Sequence, residues 1–242
     1  MHFRDLHITH KAFWKIERKA KYYDKYMKER KNWKKWIESV PLDEVRKLFK
    51  FIRLWDFHFR GNVKKFIEIY NETFPIIKEL EHERLENVNF NNTELQQKIV
   101  KIFDKMAQCS EEAYESTDCS KILHTILPHL FVMWDQSIRE GILGDEKKKS
   151  GANYALEFLP RMQVELQEAI NSCMKERELN REDAIQYIRQ ACGYETLPKL
   201  IDEHNYVIYT KSLEFRTYLE KLREKGQIMI EEYKGLKNKL PL

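Results

Sequence analysis

The residue types best suited to chemistry fall within one segment, Ser120 to Glu140. Lys121 stands at the start of a helical pattern, a proline interrupts the apolar residues that follow, and Asp135 opens a second helical pattern 14 positions later. An amine can act as a nucleophile, and a carboxylate can accept a proton or stabilise positive charge. The sequence holds no glycine-rich phosphate loop, HExxH pair, nucleophile elbow or EF-hand pattern. Lys121 and Asp135 are therefore the candidate reactive groups.

This segment resembles the helix-hairpin-helix DNA glycosylase superfamily. The pair Ser120-Lys121 is similar to the lysine position of that family, and Trp134-Asp135-Gln136-Ser137-Ile138 is similar to its aspartate stretch. The residues just before Lys121 contain no glycine, although the family has a glycine-rich hairpin turn there. The resemblance covers Lys121 to Arg139 and implies an irregular, orthogonal, glycosylase-like packing of helices.

The resemblance implies a role for each residue in the segment. Asp135 would orient or deprotonate the nucleophile and stabilise positive charge on the sugar as the glycosidic bond breaks. Lys121 would be the amine nucleophile of a glycosylase/lyase. A flipped base would occupy a substrate pocket formed by His124, Phe131 and Trp134. The implied function is recognition of DNA or excision of damaged bases.

A structural interpretation of the same residues stays open. Asp135 can cap the helix that begins at Gln136, where its carboxylate would bind free backbone amides. Arg139 follows one turn later and can pair with Asp135. Lys121 can be an exposed residue of a first helical turn, and Leu127 to Trp134 can be a buried core strip.

Positive charge is concentrated at the start of the chain. The formal net charge is +4, but residues 1–65 hold 19 Lys and Arg against 8 Asp and Glu. Four of the five tryptophans lie in the same segment. Because cations neutralise phosphates and aromatic rings stack on bases, this pattern predicts an interface for nucleic acid. The predicted contacts are Lys28, Arg30, Lys31, Lys34 and Lys35.

Amphipathic helices explain the same pattern without nucleic acid. Phe13, Ile16 and Ala20 share one helical face, so aromatic side chains can face a core while lysines stand in water. The alternative function is therefore a non-enzymatic helical interaction or scaffold protein. Its basic N-terminal surface would bind an acidic protein or membrane lipid.

The four cysteines predict neither disulfides nor a metal site. None forms a CxxC pair, and a reducing compartment disfavours a disulfide framework. Cys109, Cys119, His124 and His129 share one stretch, but their spacings of ten, five and five match no zinc module. We expect reduced thiols, no metal and no cofactor, and a zinc-stabilised helical domain stays a third alternative.

Composition and periodicity predict an all-α fold of about ten helices. Hydrophobic residues make up 42% of the chain, which is enough to build a core, and seven glycines with six prolines are few for a many-stranded β-fold. Asn180 and Gly193 mark the two ends of one helix. Asn205 to Thr210 is the one segment with the pattern of an extended piece.

The sequence favours one domain over residues 1–242. Within it, residues 1–90 would form a basic, aromatic subdomain and residues 91–242 a helical core that carries the motif. No apolar run approaches the roughly 18 residues needed to cross a bilayer, and the start of the chain lacks the apolar core of a signal peptide. We therefore expect a soluble, cytoplasmic protein with DNA as its predicted partner.

Overall fold

The computed structural model describes residues 1–29, 40–110, 113–193 and 196–241. Within these ranges it contains twelve α-helices and no strand. The helices are α1 (Phe3–Ile16), α2 (Ala20–Glu29), α3 (Leu42–Trp55), α4 (Val63–Leu80), α5 (Thr93–Met106), α6 (Ser116–Ile126), α7 (Gln136–Leu143), α8 (Leu159–Arg177), α9 (Arg181–Cys192), α10 (Leu197–Asn205), α11 (Ser212–Glu224) and α12 (Ile230–Asn238). The all-α prediction is confirmed, and the helix number is close to the expected one.

The chain forms two compact units, each built from separate stretches of sequence. Unit 1 comprises Met1–Arg18, Trp134–Glu146 and Arg161–Leu242, and unit 2 comprises Lys19–Met133 and Lys147–Pro160. Residues 90 and 91, between which the sequence favours a subdomain division, both belong to unit 2. The motif segment is itself divided, because Met133 and Trp134 are chain neighbours in different units.

Unit 2 is organised around an aromatic core. The ring of Phe49 meets the rings of Phe59 and Phe66 edge-on, at centroid distances of 4.9 and 5.4 Å. Phe103 stacks on Tyr154 at 4.4 Å. Such edge-on and offset arrangements favour aromatic pairs beyond the area that they bury. The core therefore holds α3, α4 and α5 together with the π-helical segment Asn153–Phe158.

Unit 1 is organised around α10, which packs against α1 and is buried along its whole length. The chain then continues as a second π-helical segment, Tyr206–Thr210, whose Lys211 N–H donates to the Tyr206 carbonyl at 2.9 Å. The prediction of an extended piece at Asn205 to Thr210 is wrong. Val207 and Ile208 are buried, and burial of two β-branched residues in a helical core produces the same local pattern as a strand.

Helix ends follow local signals closely. The Asn180 side chain accepts a hydrogen bond from the Asp183 N–H at 2.9 Å and starts α9. Gly193 ends the same helix with a φ of 68°, a left-handed conformation that glycine adopts at little cost. Both predicted ends of this helix are confirmed.

Candidate functional site

Lys121 lies in the middle of α6 in unit 2 and forms an ion pair with Asp118. Its Nζ atom is 2.9 Å from Asp118 Oδ1, and both side chains are largely buried. Burial raises the pKa of Asp118 to about 6, and the charge of Lys121 opposes that shift. An exposed first-turn position for Lys121 is therefore wrong. Its amine is the partner of a buried carboxylate.

Asp135 lies in unit 1 and caps α7. Its Oδ1 atom accepts a hydrogen bond from the Ile138 N–H at 2.9 Å, and its Oδ2 atom accepts one from the Thr210 hydroxyl at 2.6 Å. The capping role of the structural interpretation is confirmed. Lys121 belongs to the other unit, so each predicted catalytic residue has its partners within its own unit. Their catalytic roles stay predictions.

The three residues predicted to line a substrate pocket are buried in the cores of their units. His124 and Phe131 lie together in unit 2, whereas Trp134 belongs to unit 1. The His124 Nδ1 atom is 2.6 Å from the Phe131 carbonyl oxygen, and its Nε2 atom is 2.7 Å from the Tyr23 hydroxyl. A carbonyl only accepts, so Nδ1 donates to it and Tyr23 can donate to Nε2. Both nitrogens of His124 thus serve packing in the core.

The described part of the basic segment presents cations to solvent. Lys28 is exposed on α2 and pairs with Asp24 at 2.7 Å, and Lys21 and Lys25 are exposed near Tyr22 on the same helix. Four of the predicted contacts lie outside the described residues: Arg30, Lys31, Lys34 and Lys35. Of the five predicted nucleic-acid contacts, the described residues therefore include Lys28, which lies on an exposed face of α2.

An exposed aromatic ring follows α3 in unit 2. Phe57 is 73% exposed, and its ring centroid lies 3.8 Å from that of His58. The Arg60 Nη1 atom donates to the Phe57 carbonyl at 2.9 Å, and the Arg53 Nε atom donates to the Phe59 carbonyl at 3.4 Å. We call Arg53, Phe57, His58 and Arg60 the Phe57 surface. It combines a solvent-facing ring with two guanidinium groups that donate hydrogen bonds to the backbone of the same loop.

Cations of α2 adjoin this surface. The Lys19 Nζ atom donates to the Trp55 carbonyl at 3.4 Å, which brings the start of α2 to the end of α3. Tyr26 stacks on Phe51 at 4.3 Å one helical turn earlier along α3. The two helices therefore lie side by side, and the exposed Lys21 follows directly after this junction.

Sequence reasoning did not single out Phe57. The segment contains several phenylalanines among cations, and Phe49, Phe51 and Phe59 are buried whereas Phe57 is not. A break in helical spacing after Trp55 is the one local signal, because α3 ends there and Phe57 no longer follows its apolar face.

A buried charged cluster in unit 1 also escaped the sequence analysis. The Lys199 Nζ atom lies 2.6 Å from Asp202 Oδ2 and 3.7 Å from Glu203 Oε1, and all three side chains are buried. Glu203 also lies 2.8 Å from His10 Nδ1. Burial raises the pKa of Asp202 to about 6, Lys199 opposes the shift, and the charges of Glu203 and Asp135 add to it. Spacings of three and four residues from Lys199 were the available signal.

The cysteines offer no reactive thiolate. All four are buried and unpaired by disulfides. Burial raises the pKa of both Cys109 and Cys192 to about 12, so each stays a protonated thiol at neutral pH.

The described ranges contain neither a metal site nor a helix that could span a membrane. There, no group of three or more His, Cys, Asp and Glu side chains could hold a metal ion. None of the described helices has the length and apolar character that crossing a membrane requires.

No protein-family model, curated protein or solved structure matches this chain.

Proposed function

We propose that unit 2 binds single-stranded nucleic acid through the Phe57 surface and the adjoining cations of α2. The observation that carries this proposal is the exposed ring of Phe57, which lies beside the tilted ring of His58 and is flanked in sequence by Arg53 and Arg60. An exposed aromatic ring stacks on an unpaired base, which contributes about 1–3 kcal/mol per base. The guanidinium groups would neutralise the neighbouring phosphates.

The charge around this ring supports an anionic partner. Residues 19–29 and 40–60 hold nine Lys and Arg against five Asp and Glu. Four of these cations pair with acids on their own helix. Among the described residues, the ion pairs of this region leave the following four cations without a carboxylate within 4.0 Å of their side-chain nitrogens: Lys21, Lys50, Arg53 and Arg60. These four are the phosphate contacts that we propose.

Single strands suit this site better than duplexes. Bases in a duplex hide their faces within the stack, so stacking on Phe57 requires an unpaired base. A duplex would still be attracted by the cations, but it would gain nothing from the ring. The proposal therefore predicts a difference in affinity between the two forms that depends on Phe57.

Binding of nucleic acid is the main proposal, and excision of damaged bases is secondary to it. Lys121 is paired with Asp118, and both oxygens of Asp135 accept hydrogen bonds, so both groups already have structural partners. Excision and a glycosylase-like fold follow from the sequence resemblance and are the narrower proposal for the same partner. Two results would support excision. The protein should cleave damaged DNA, and Asp135→Asn should abolish the cleavage. Borohydride should trap the protein on damaged DNA, and Lys121→Ala should abolish the trapping.

The test is fluorescence anisotropy with a labelled 20-nucleotide single strand and its duplex across a salt series. We expect Phe57→Ala to weaken binding of the single strand by about tenfold or more. Arg53→Gln with Arg60→Gln should flatten the salt dependence for both nucleic acids. Leu213→Ala is the matched control, because Leu213 is also 73% exposed and lies in unit 1.

Three outcomes would overturn the proposal. They are the absence of binding at low salt, an unchanged affinity in Phe57→Ala, and equal competition by poly-glutamate and unlabelled single strand. The last result would instead support the helical interaction protein, with an acidic polypeptide as its partner.

A further inference from the structure

Unit 1 contains a pocket that none of the predicted site residues lines. Its volume is about 690 Å³, within the range of sites for small organic ligands. Residues of α1, α9 and α11 form most of its wall, and Arg177 at the end of α8, Gln227 after α11 and Glu232 of α12 complete it. The pocket is therefore built from five helices and one connecting segment of the same unit.

Positive charge in this pocket is only partly neutralised. The Arg4 guanidinium donates to the carboxylates of Glu176 and Glu232. Lys11 and Arg177 also line the pocket, and in the described chain no carboxylate lies within 4.0 Å of either side-chain cation. Two cations thus face the pocket without an acidic partner, which favours an anionic ligand.

Aromatic rings lie beside these cations. The Arg177 guanidinium lies 5.1 Å from the ring centroid of Tyr187 and 5.9 Å from that of Phe3, and all three residues line the pocket. Tyr218 of α11 adds a second phenol ring. Stacking on Tyr187 and Phe3 fixes the position of a guanidinium that would otherwise be free in solvent. Rings and cations together suit a flat, anionic ligand.

His7 adds an imidazole ring to the same wall. Its Nδ1 atom is buried and has no hydrogen-bond partner among the described residues. Burial is the main cause that lowers the pKa of His7 below its usual value, and the charge of Lys11 acts in the same direction. The ring is therefore neutral at pH 7. Because this nitrogen has almost no accessible surface, it does not meet a ligand, and the neutral ring adds no charge to the pocket wall.

We propose that this pocket binds a small organic anion that carries a flat ring. Its carboxylate or phosphate group lies against Lys11 and Arg177, and its ring contacts Tyr187 and Tyr218. The proposal involves unit 1 alone and is independent of nucleic-acid binding by unit 2.

The test uses three naphthalene probes of similar size: 1-naphthyl phosphate, 2-naphthoate and neutral 2-naphthol. Isothermal titration should show one site per chain for at least one anion, with naphthol at least tenfold weaker. Tighter binding of 1-naphthyl phosphate would assign the anionic group as phosphate, and tighter binding of 2-naphthoate would assign it as carboxylate. Lys11→Gln with Arg177→Gln should weaken the anion at least tenfold and leave naphthol binding unchanged.

The matched control is Lys175→Gln with Lys221→Gln, which removes the same charge from two exposed positions outside the pocket. It should bind the anion within twofold of the unmodified protein. Circular dichroism spectra of all variants should coincide, because every substituted side chain is exposed. The proposal is overturned if no probe saturates one site, if naphthol binds as tightly as the anions, or if both double variants lose equal affinity.

Discussion

The Tyr23 hydroxyl lies 2.7 Å from the Nε2 atom of His124, and both side chains are buried in unit 2. Since the other ring nitrogen of His124 donates to the Phe131 carbonyl, this contact bonds the second nitrogen of the ring as well. The bond joins α2 to α6 across 101 positions of sequence. It is a structural bond of the core, and its removal has a measurable cost.

We expect Tyr23→Phe to destabilise the protein by about 1–3 kcal/mol, because it removes a hydrogen bond between two buried side chains. Urea denaturation at pH 7 measures the change. Tyr22→Phe is the control on the same helix, since Tyr22 is exposed, and it should stay within about 0.5 kcal/mol of the unmodified protein. Equal stability of the two variants would show that the Tyr23 bond contributes nothing.

Asp135→Ala and Asp135→Asn should differ in stability. Asparagine caps a helix about as well as aspartate and can also bond to the Thr210 hydroxyl, so Asp135→Asn should change stability by less than about 0.5 kcal/mol. Asp135→Ala loses both bonds and should cost about 1–2 kcal/mol. Thermal unfolding gives both values.

The same pair separates capping from catalysis. Loss of DNA cleavage in the stable Asp135→Asn variant would support the glycosylase role, because folding would be intact. A large loss of stability in Asp135→Asn would contradict the capping argument. It would mean that the negative charge of Asp135, and not only its hydrogen bonds, stabilises unit 1.

Glu165→Gln should stabilise the protein in a pH-dependent way. Burial raises the pKa of Glu165 to about 6, the charges of Lys239 and the N-terminal amine oppose the shift, and the Oε2 atom is buried without a partner among the described residues. Because the folded pKa lies above the unfolded one, the penalty for the charge is absent below about pH 4 and complete above about pH 7.

We therefore expect Glu165→Gln to gain about 1–2 kcal/mol at pH 8 and almost nothing at pH 4. Unfolding in urea at both pH values measures the gain. Glu224→Gln, at an exposed position of α11, should show no such difference. A gain that is equal at the two pH values would rule out ionisation of Glu165 as its cause.

Lys199→Met should be strongly destabilising at high pH. It removes the cation that lies 2.6 Å from Asp202 and leaves two buried carboxylates without it, which costs about 3–5 kcal/mol. At pH 5 the loss should be smaller, because Asp202, with a pKa of about 6, is then mostly protonated.

The measurement for Lys199→Met is the urea midpoint at pH 5 and pH 8. Lys175→Met, at an exposed position of α8, is the control and should shift stability by less than about 0.5 kcal/mol at either pH. A Lys199→Met variant that is as stable as this control would mean that the buried ion pair is replaceable by an apolar side chain.

Several features of the fold follow from neighbours in sequence. Asn180 and Gly193 mark both ends of α9, and Asp135 caps α7, because caps act within one helical turn. The candidate site was less predictable. Phe57 belongs to a run of aromatic residues whose other members are buried, and Lys121 reads as a surface lysine until Asp118 is placed beside it in a buried setting.

The sequence by itself determined the helical class of the described chain, the ends of individual helices and the excess of cations near its start. These properties depend on residue type and on contacts within a few positions. Tertiary structure alone decided which side chains are buried and which residues meet. Thr210 reaches Asp135 across 75 positions, and α10 is buried with its charges because distant helices cover it. Burial depends on those distant partners, and no local pattern encodes them.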